Sequence, residues 1–212
     1  TLEKNPEGGL AYFRSESARS QEYLEGLSST VEYPRIKGLI EMYCRALAGT
    51  EIKVAPTEEL VEKNIGWVSS EAPSTEGSTV YVPSQVARYG TKGENFAWLK
   101  VVSTHQTAHL EFDSFHFEFD RPSTQFSDLR AALAAEQAAD REGDGRGWVT
   151  DMQRFFNLFA DRTLALDIFA VVEDGRLDSR VKAEYPGIKR DYDRVQVDSL
   201  GSRPEVPSLP KR

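Results

Sequence analysis

The chain has 212 residues, enough for one domain with a buried core or for two small ones. Its net charge of −8 argues against nucleic acid as a partner, because phosphate binding needs a basic surface. The sequence has no run of about 18 apolar residues, so it predicts no membrane insertion. The single cysteine, Cys44, favours a reducing compartment, and we expect a cytoplasmic protein.

The first part of the chain combines helices with short strands. Apolar residues recur at helical spacing, while Pro34 and Gly49 mark the beginning and end of one helix. Thr57 is a typical residue for the start of another. The predicted elements are helices over 10–30, 34–49 and 57–64, strands over 51–55 and 79–82, and a loop over 66–79.

The second part is predicted to be mostly helical. Phe115, Phe117 and Phe119 alternate with polar residues, which is typical of a strand. The other predicted elements are a helix over 95–112, an exposed helix and a mobile loop within 122–150, and a helix over 151–185 broken near Asp161. Residues 191–212 are predicted to be an extended or disordered tail.

These elements predict a mostly α-helical α+β fold in which residues 1–190 form one domain. The strands 51–55, 79–82 and 115–119 are expected to make a small β-sheet.

The motif HQTAH places two histidines four residues apart on a predicted helix. His105 and His109 then project from one face, so that both imidazoles can bind the same metal ion. The surrounding segment is apolar, and imidazoles without partners are costly to bury there. Zinc accepts neutral imidazole nitrogen readily, so the spacing predicts a zinc site.

The predicted third ligand is Glu173, in the apolar helix LALDIFAVVEDGRLD. A carboxylate in such a helix needs a partner, either a metal ion or an arginine such as Arg176 or Arg180. His116 is a competing ligand. It ranks below Glu173, because the predicted strand directs it towards solvent.

Gln106 stands where the HExxH motif of metallopeptidases has its catalytic glutamate. That glutamate takes a proton from metal-bound water, which a glutamine amide cannot do. Glu111 faces away from the histidine pair on the same helix, and Glu118 and Asp174 remain open as substitutes. The sequence therefore indicates a metal site that is not hydrolytic.

Five segments suggest a family. AYFRSESARSQEYLEGLSSTVE, IEMYCRALAG, VYVPSQVARY, ENFAWLKVVSTHQTAHLEF and LDIFAVVEDGRLDSRVKAEYPG follow one another over residues 10–190. Together they resemble the N-terminal part of nitric-oxide-reductase activation (NorD-type) and Rubisco-activation (CbbO-type) von Willebrand factor A proteins. The chain departs from that family at Gln106, and it contains no DxSxS adhesion motif.

The resemblance implies a zincin-like fold of the gluzincin type, with His105, His109 and Glu173 as metal ligands. It also implies a MoxR-class AAA+ ATPase as partner and a client enzyme complex. We therefore expect a non-catalytic, metal-binding interaction domain of an ATPase-coupled activation system. Two alternatives stay open, an active zinc metallopeptidase with an atypical general base and a metal-free helical scaffold.

Overall fold

The structure, a computed structural model, describes residues 26, 28–49, 51–62, 74–123, 128–139 and 150–204. Over these residues the protein has a mostly α-helical α+β fold, as expected. Among them, no helix combines the length and the apolar character that crossing a membrane requires. Of the predicted helix over 10–30, the described residues are 26, which is helical, and 28–30, which are not.

The secondary structure alternates helices with short strands. In chain order the elements are β1 (Val31–Glu32), α1 (Tyr33–Ala48), β2 (Lys53–Pro56), α2 (Glu58–Glu62), β3 (Ser74–Glu76), β4 (Thr79–Val82), β5 (Gln85–Val86), α3 (Lys92–Glu111), α4 (Arg130–Ala139), α5 (Asp151–Phe156), α6 (Arg162–Glu184), a 3₁₀ turn (Pro186–Ile188) and α7 (Lys189–Gly201).

Helix α3 lies at the centre of the core. It begins at the N-cap residue Thr91, whose hydroxyl accepts a hydrogen bond from the backbone N–H of Glu94. Leu99, Val101 and Ala108 are almost completely buried, because the helix packs against α1, β4, α6 and α7. The helix predicted over 95–112 is thus confirmed, and its last two turns lie where several elements meet.

Two small sheets flank this helix. β1 and β5 form an antiparallel pair, while β4 lies between β2, which is parallel to it, and β3, which is antiparallel. Val54 of β2 faces Val80 of β4, and both side chains are buried. Both predicted strands of this region are confirmed, and β3 falls within the segment predicted to be a loop.

The predicted strand over 115–119 is wrong, because the chain turns sharply after α3. Asp113 has a positive φ of 56°, and the backbone N–H of Ser114 donates to the His109 carbonyl at 2.9 Å. The alternating phenylalanines do not share a face: Phe119 is buried, whereas Phe115 is 48% exposed. The third strand of the sheet is β3 instead.

The C-terminal helices agree with the sequence in part. The expected break near Asp161 is confirmed, because its carboxylate caps α6 by accepting from the backbone N–H of Leu164 at 2.9 Å. The exposed helix expected after 122 is α4, and 140–149, expected to be mobile, lie outside the described residues.

The extended tail predicted over 191–212 is wrong at its start, where α7 forms. Tyr192 and Val195 are buried one helical turn apart, while the other positions of this helix are mostly charged or polar. Tyr192 and Val195 form a narrow apolar stripe on an otherwise polar helix, and α3 and α6 pack against this helix. Residues 205–212 lie outside the described part of the chain.

Candidate metal centre

His105 and His109 occupy successive turns at the C-terminal end of α3 and project to the same side, as their spacing predicts. Their ring centroids are 5.4 Å apart, with the ring planes nearly perpendicular at 87°. Both side chains are mostly buried, with exposed fractions of 19% for His105 and 15% for His109.

A carboxylate from α6 completes a candidate ligand set. His105, His109 and Asp174 each offer a ligand atom, and these atoms all lie within 4.8 Å of one another. One Asp174 oxygen, Oδ1, is 3.4 Å from His105 Nε2 and 4.0 Å from His109 Nε2. Two imidazole nitrogens and one carboxylate oxygen in such a group could hold a metal ion.

Glu173, the predicted third ligand, lies next to this group and bonds to other residues. Its carboxylate accepts from Arg176, at 2.7 Å from Nε and 2.6 Å from Nη2, and from the Ser114 hydroxyl. The Arg176 guanidinium holds the pKa of the Glu173 carboxyl below its ordinary value. The carboxylate in the candidate ligand group is that of its neighbour Asp174. Direct metal binding by Glu173 stays a prediction.

Each histidine makes a hydrogen bond at Nδ1, the ring nitrogen on the side away from Asp174. His105 Nδ1 lies 3.0 Å from Asp178 Oδ1 and 2.8 Å from the Tyr192 hydroxyl. His109 Nδ1 lies 3.0 Å from the Ser114 hydroxyl, which in turn donates to Glu173. Such contacts fix the orientation of a metal-binding imidazole and leave Nε2 to face the ion.

The two histidines differ in protonation. Burial lowers the pKa of His105, but hydrogen bonds to Asp174 and Asp178 outweigh it and raise the pKa to about 9. Burial and the charge on His105 lower the pKa of His109 to about 4. At neutral pH His105 of the metal-free site is therefore protonated on both nitrogens and His109 is neutral, and a bound metal ion would displace the proton on His105 Nε2.

Gln106 is fixed beside the histidine pair by strand β3. The Thr75 hydroxyl lies 2.8 Å from the Gln106 backbone carbonyl and 2.9 Å from its side-chain Oε1, so it can donate to either oxygen. Thr75, Gln106 and His109 line one cavity of about 740 Å³ together with Asp174. Gln106, the residue that the sequence places at the position of a general base, thus lines the same cavity as His109 and Asp174.

The other acidic and basic residues considered from the sequence lie elsewhere. Glu111 accepts from the Tyr185 hydroxyl, and His116 and Glu118 are exposed beyond the turn that follows α3. Among the described residues, neither His116 nor Glu118 joins the candidate ligand group.

Asp178 and Tyr192 were missed by the sequence reasoning. One signal was present: Asp174 and Asp178 have the same four-residue spacing as the two histidines, so that two matching pairs can face each other. Tyr192 had no such signal, because its segment was predicted to be a tail.

Compared with models of known protein families, with curated proteins and with solved structures, the chain matches none of them.

The pair formed by Glu173 and Arg176 generates a stability prediction. Arg176→Met leaves a carboxylate of 10% exposed fraction with Ser114 and without its cation, so we expect the free energy of unfolding to fall by about 1–3 kcal/mol. The measurement is urea unfolding in the presence of a chelator.

Arg35→Met is the matched control. Arg35 also pairs with a glutamate three residues earlier at 2.6 Å, but Glu32 is 42% exposed, so a loss below about 1 kcal/mol is expected. Equal losses in the two variants would show that Glu173 does not depend on Arg176.

Proposed function

We propose that this chain is a metal-binding domain in which His105, His109 and Asp174 hold a zinc ion. The observation that carries the proposal is the convergence of their ligand atoms within 4.8 Å, with both imidazoles bonded at Nδ1. Two imidazoles and a carboxylate suit zinc, and three protein ligands leave one of its four positions for another group.

The proposed domain is a pseudo-metallopeptidase, because Gln106 replaces the general base. An amide has no basic site that could take a proton at neutral pH. The bond from Thr75 supports this assignment, because it holds the amide beside His109 in the shared cavity. His105, His109 and Asp174 would then hold the ion without a hydrolytic step.

We further propose that the domain works by protein interaction, with a MoxR-class AAA+ ATPase and a client enzyme complex as partners. The resemblance of the HQTAH and EDGRLD segments to NorD- and CbbO-type proteins supports these partners. Exposed apolar side chains support an interaction role, since Val171 and Val172 are 73% and 67% exposed on α6 close to Asp174.

Metal content tests the ligand set directly. Native protein, purified without an affinity tag, should carry about one zinc ion per chain by elemental mass spectrometry. His105→Ala and Asp174→Ala should lose it, because each removes a proposed ligand.

Glu173→Gln is the comparison for Asp174→Ala, because it changes the adjacent carboxylate. It should keep the zinc ion at weaker affinity, because Glu173 supports His109 through Ser114 and by its charge. Loss of zinc in Glu173→Gln with full retention in Asp174→Ala would assign the third ligand to Glu173. A native chain without any metal would contradict the proposal.

Peptidase assays test the role of Gln106. The zinc-loaded native chain should cleave casein no faster than His105→Ala, because both lack a working combination of metal and base. Gln106→Glu restores a proton acceptor and should raise chelator-sensitive cleavage at least about 100-fold. Cleavage by the native chain that a chelator and His105→Ala both abolish would instead establish an active peptidase.

Affinity purification tests the proposed partners. The chain should co-purify with a MoxR-class AAA+ ATPase, identified by mass spectrometry. The amount of ATPase recovered per chain should not fall after nuclease treatment. Val171→Asp combined with Val172→Asp should weaken this association, because it places two charges in the exposed apolar surface. Consistent absence of the ATPase from the native preparation would overturn the partner assignment.

A further inference from the structure

A chain of hydrogen bonds connects His105 to helix α7. Asp178 of α6 contacts His105 Nδ1 through Oδ1, which also accepts a bond from the Tyr192 hydroxyl at 2.8 Å. Its second oxygen, Oδ2, accepts from the Gln196 amide at 2.5 Å. Both oxygens of one carboxylate are therefore held by side chains of α7, one helical turn apart.

The direction of these bonds follows from the number of protons available. The Tyr192 hydroxyl has one proton and donates it to Asp178, which has none to give in its ionised form. The 2.8 Å contact between this hydroxyl and His105 Nδ1 then requires a proton on Nδ1. With a proton fixed at Nδ1, Nε2 is the nitrogen of His105 that faces Asp174, and it offers a lone pair to a metal ion once its own proton is displaced.

Burial keeps this arrangement in place. Tyr192 is 2% exposed, and its hydroxyl, like that of any phenol at neutral pH, keeps its proton. The orientation of the Gln196 amide is set from the opposite end, because Lys182 donates to its Oε1 at 2.9 Å. The amide nitrogen of Gln196 must then face Asp178.

We propose that Tyr192 and Gln196 are positioning residues, which hold Asp178 and through it select Nε2 of His105 as the metal-binding atom. The inference rests on the proposed metal site and adds to it the residues that set its affinity. Tyr192 bonds to His105 at Nδ1 and not at Nε2, and Gln196 bonds to Asp178, so both act through the orientation and the Nδ1 proton of His105.

The affinity for zinc is the quantity that this positioning changes. Partners behind a metal-binding imidazole typically contribute about 10–100-fold in metal affinity. Tyr192→Phe keeps the aromatic ring in the core and removes only the hydroxyl, so we expect a loss of about 10–100-fold. Gln196→Met, which leaves the bond from Tyr192 to Asp178 in place, should cost less.

Tyr89→Phe is the matched control. The Tyr89 hydroxyl also donates to an aspartate of α7, Asp198, at 2.8 Å, so this variant removes the same kind of bond from the same helix away from His105. Its zinc affinity should equal that of the native chain. The measurement is competition between each full chain and a fluorescent zinc chelator.

A second readout separates positioning from a general loss of folding. In the zinc-loaded native chain the Nδ1 proton of His105 should give a slowly exchanging NMR signal, because Asp178 and Tyr192 enclose it. In Tyr192→Phe this proton should exchange faster with water while the backbone amide spectrum of α3 is retained. A purely structural role of Tyr192 would not produce that combination.

The outcomes distinguish the two proposals. If the native chain binds zinc and Tyr192→Phe binds it equally well, the positioning role is overturned and the metal site stands. If affinity falls equally in Tyr192→Phe and Tyr89→Phe, the effect belongs to the attachment of α7 and the positioning role is again overturned. If the native chain binds no zinc, the metal site and the inference fail together.

Discussion

The contact between His105 and Asp178 joins α3 to α6, and Tyr192 of α7 bonds to both residues. Three helices therefore meet at one mostly buried group of polar atoms, and polar groups with so little access to water are stable only when their partners are in place. The relative position of the three helices fixes everything else at the site. With α6 held against α3 in this way, Asp174 comes one helical turn before Asp178 and lies opposite both histidines.

The carboxylates of Asp174 and Asp178 lie beside His105 and stabilise a positive charge there. In the metal-free protein that charge is the proton of His105, whose pKa is raised by Asp174 and Asp178 despite burial. His109, held by the neutral hydroxyl of Ser114, stays uncharged at neutral pH because burial and the charged neighbour lower its pKa. A divalent cation satisfies the same carboxylates more completely than one proton can, which is the physical basis for the proposed metal-binding role.

The sequence predicted those features of the site whose geometry depends on a single helix. The four-residue spacing of His105 and His109 places them together whatever packs around them, and the capping residue Asp161 marks the start of α6 by a local bond. The choice between Glu173 and Asp174 was different. Adjacent residues on a helix point about 100° apart, so that choice depends on which face of α6 packs against α3. Nothing within either segment specifies that face.

The amino-acid sequence by itself determined the helical class of the fold, the histidine pair, and the presence of Gln106 where a general base would stand. Tertiary structure brought the Asp174 carboxylate close to the histidines, turned the phenylalanine-rich segment after α3 away from a strand, and made a helix of the segment that carries Tyr192. The division has a physical reason. Spacing within a helix and chemical identity are properties of a few neighbouring residues, whereas the contact of α7 with His105 spans 87 positions of the chain and exists only when the core is assembled.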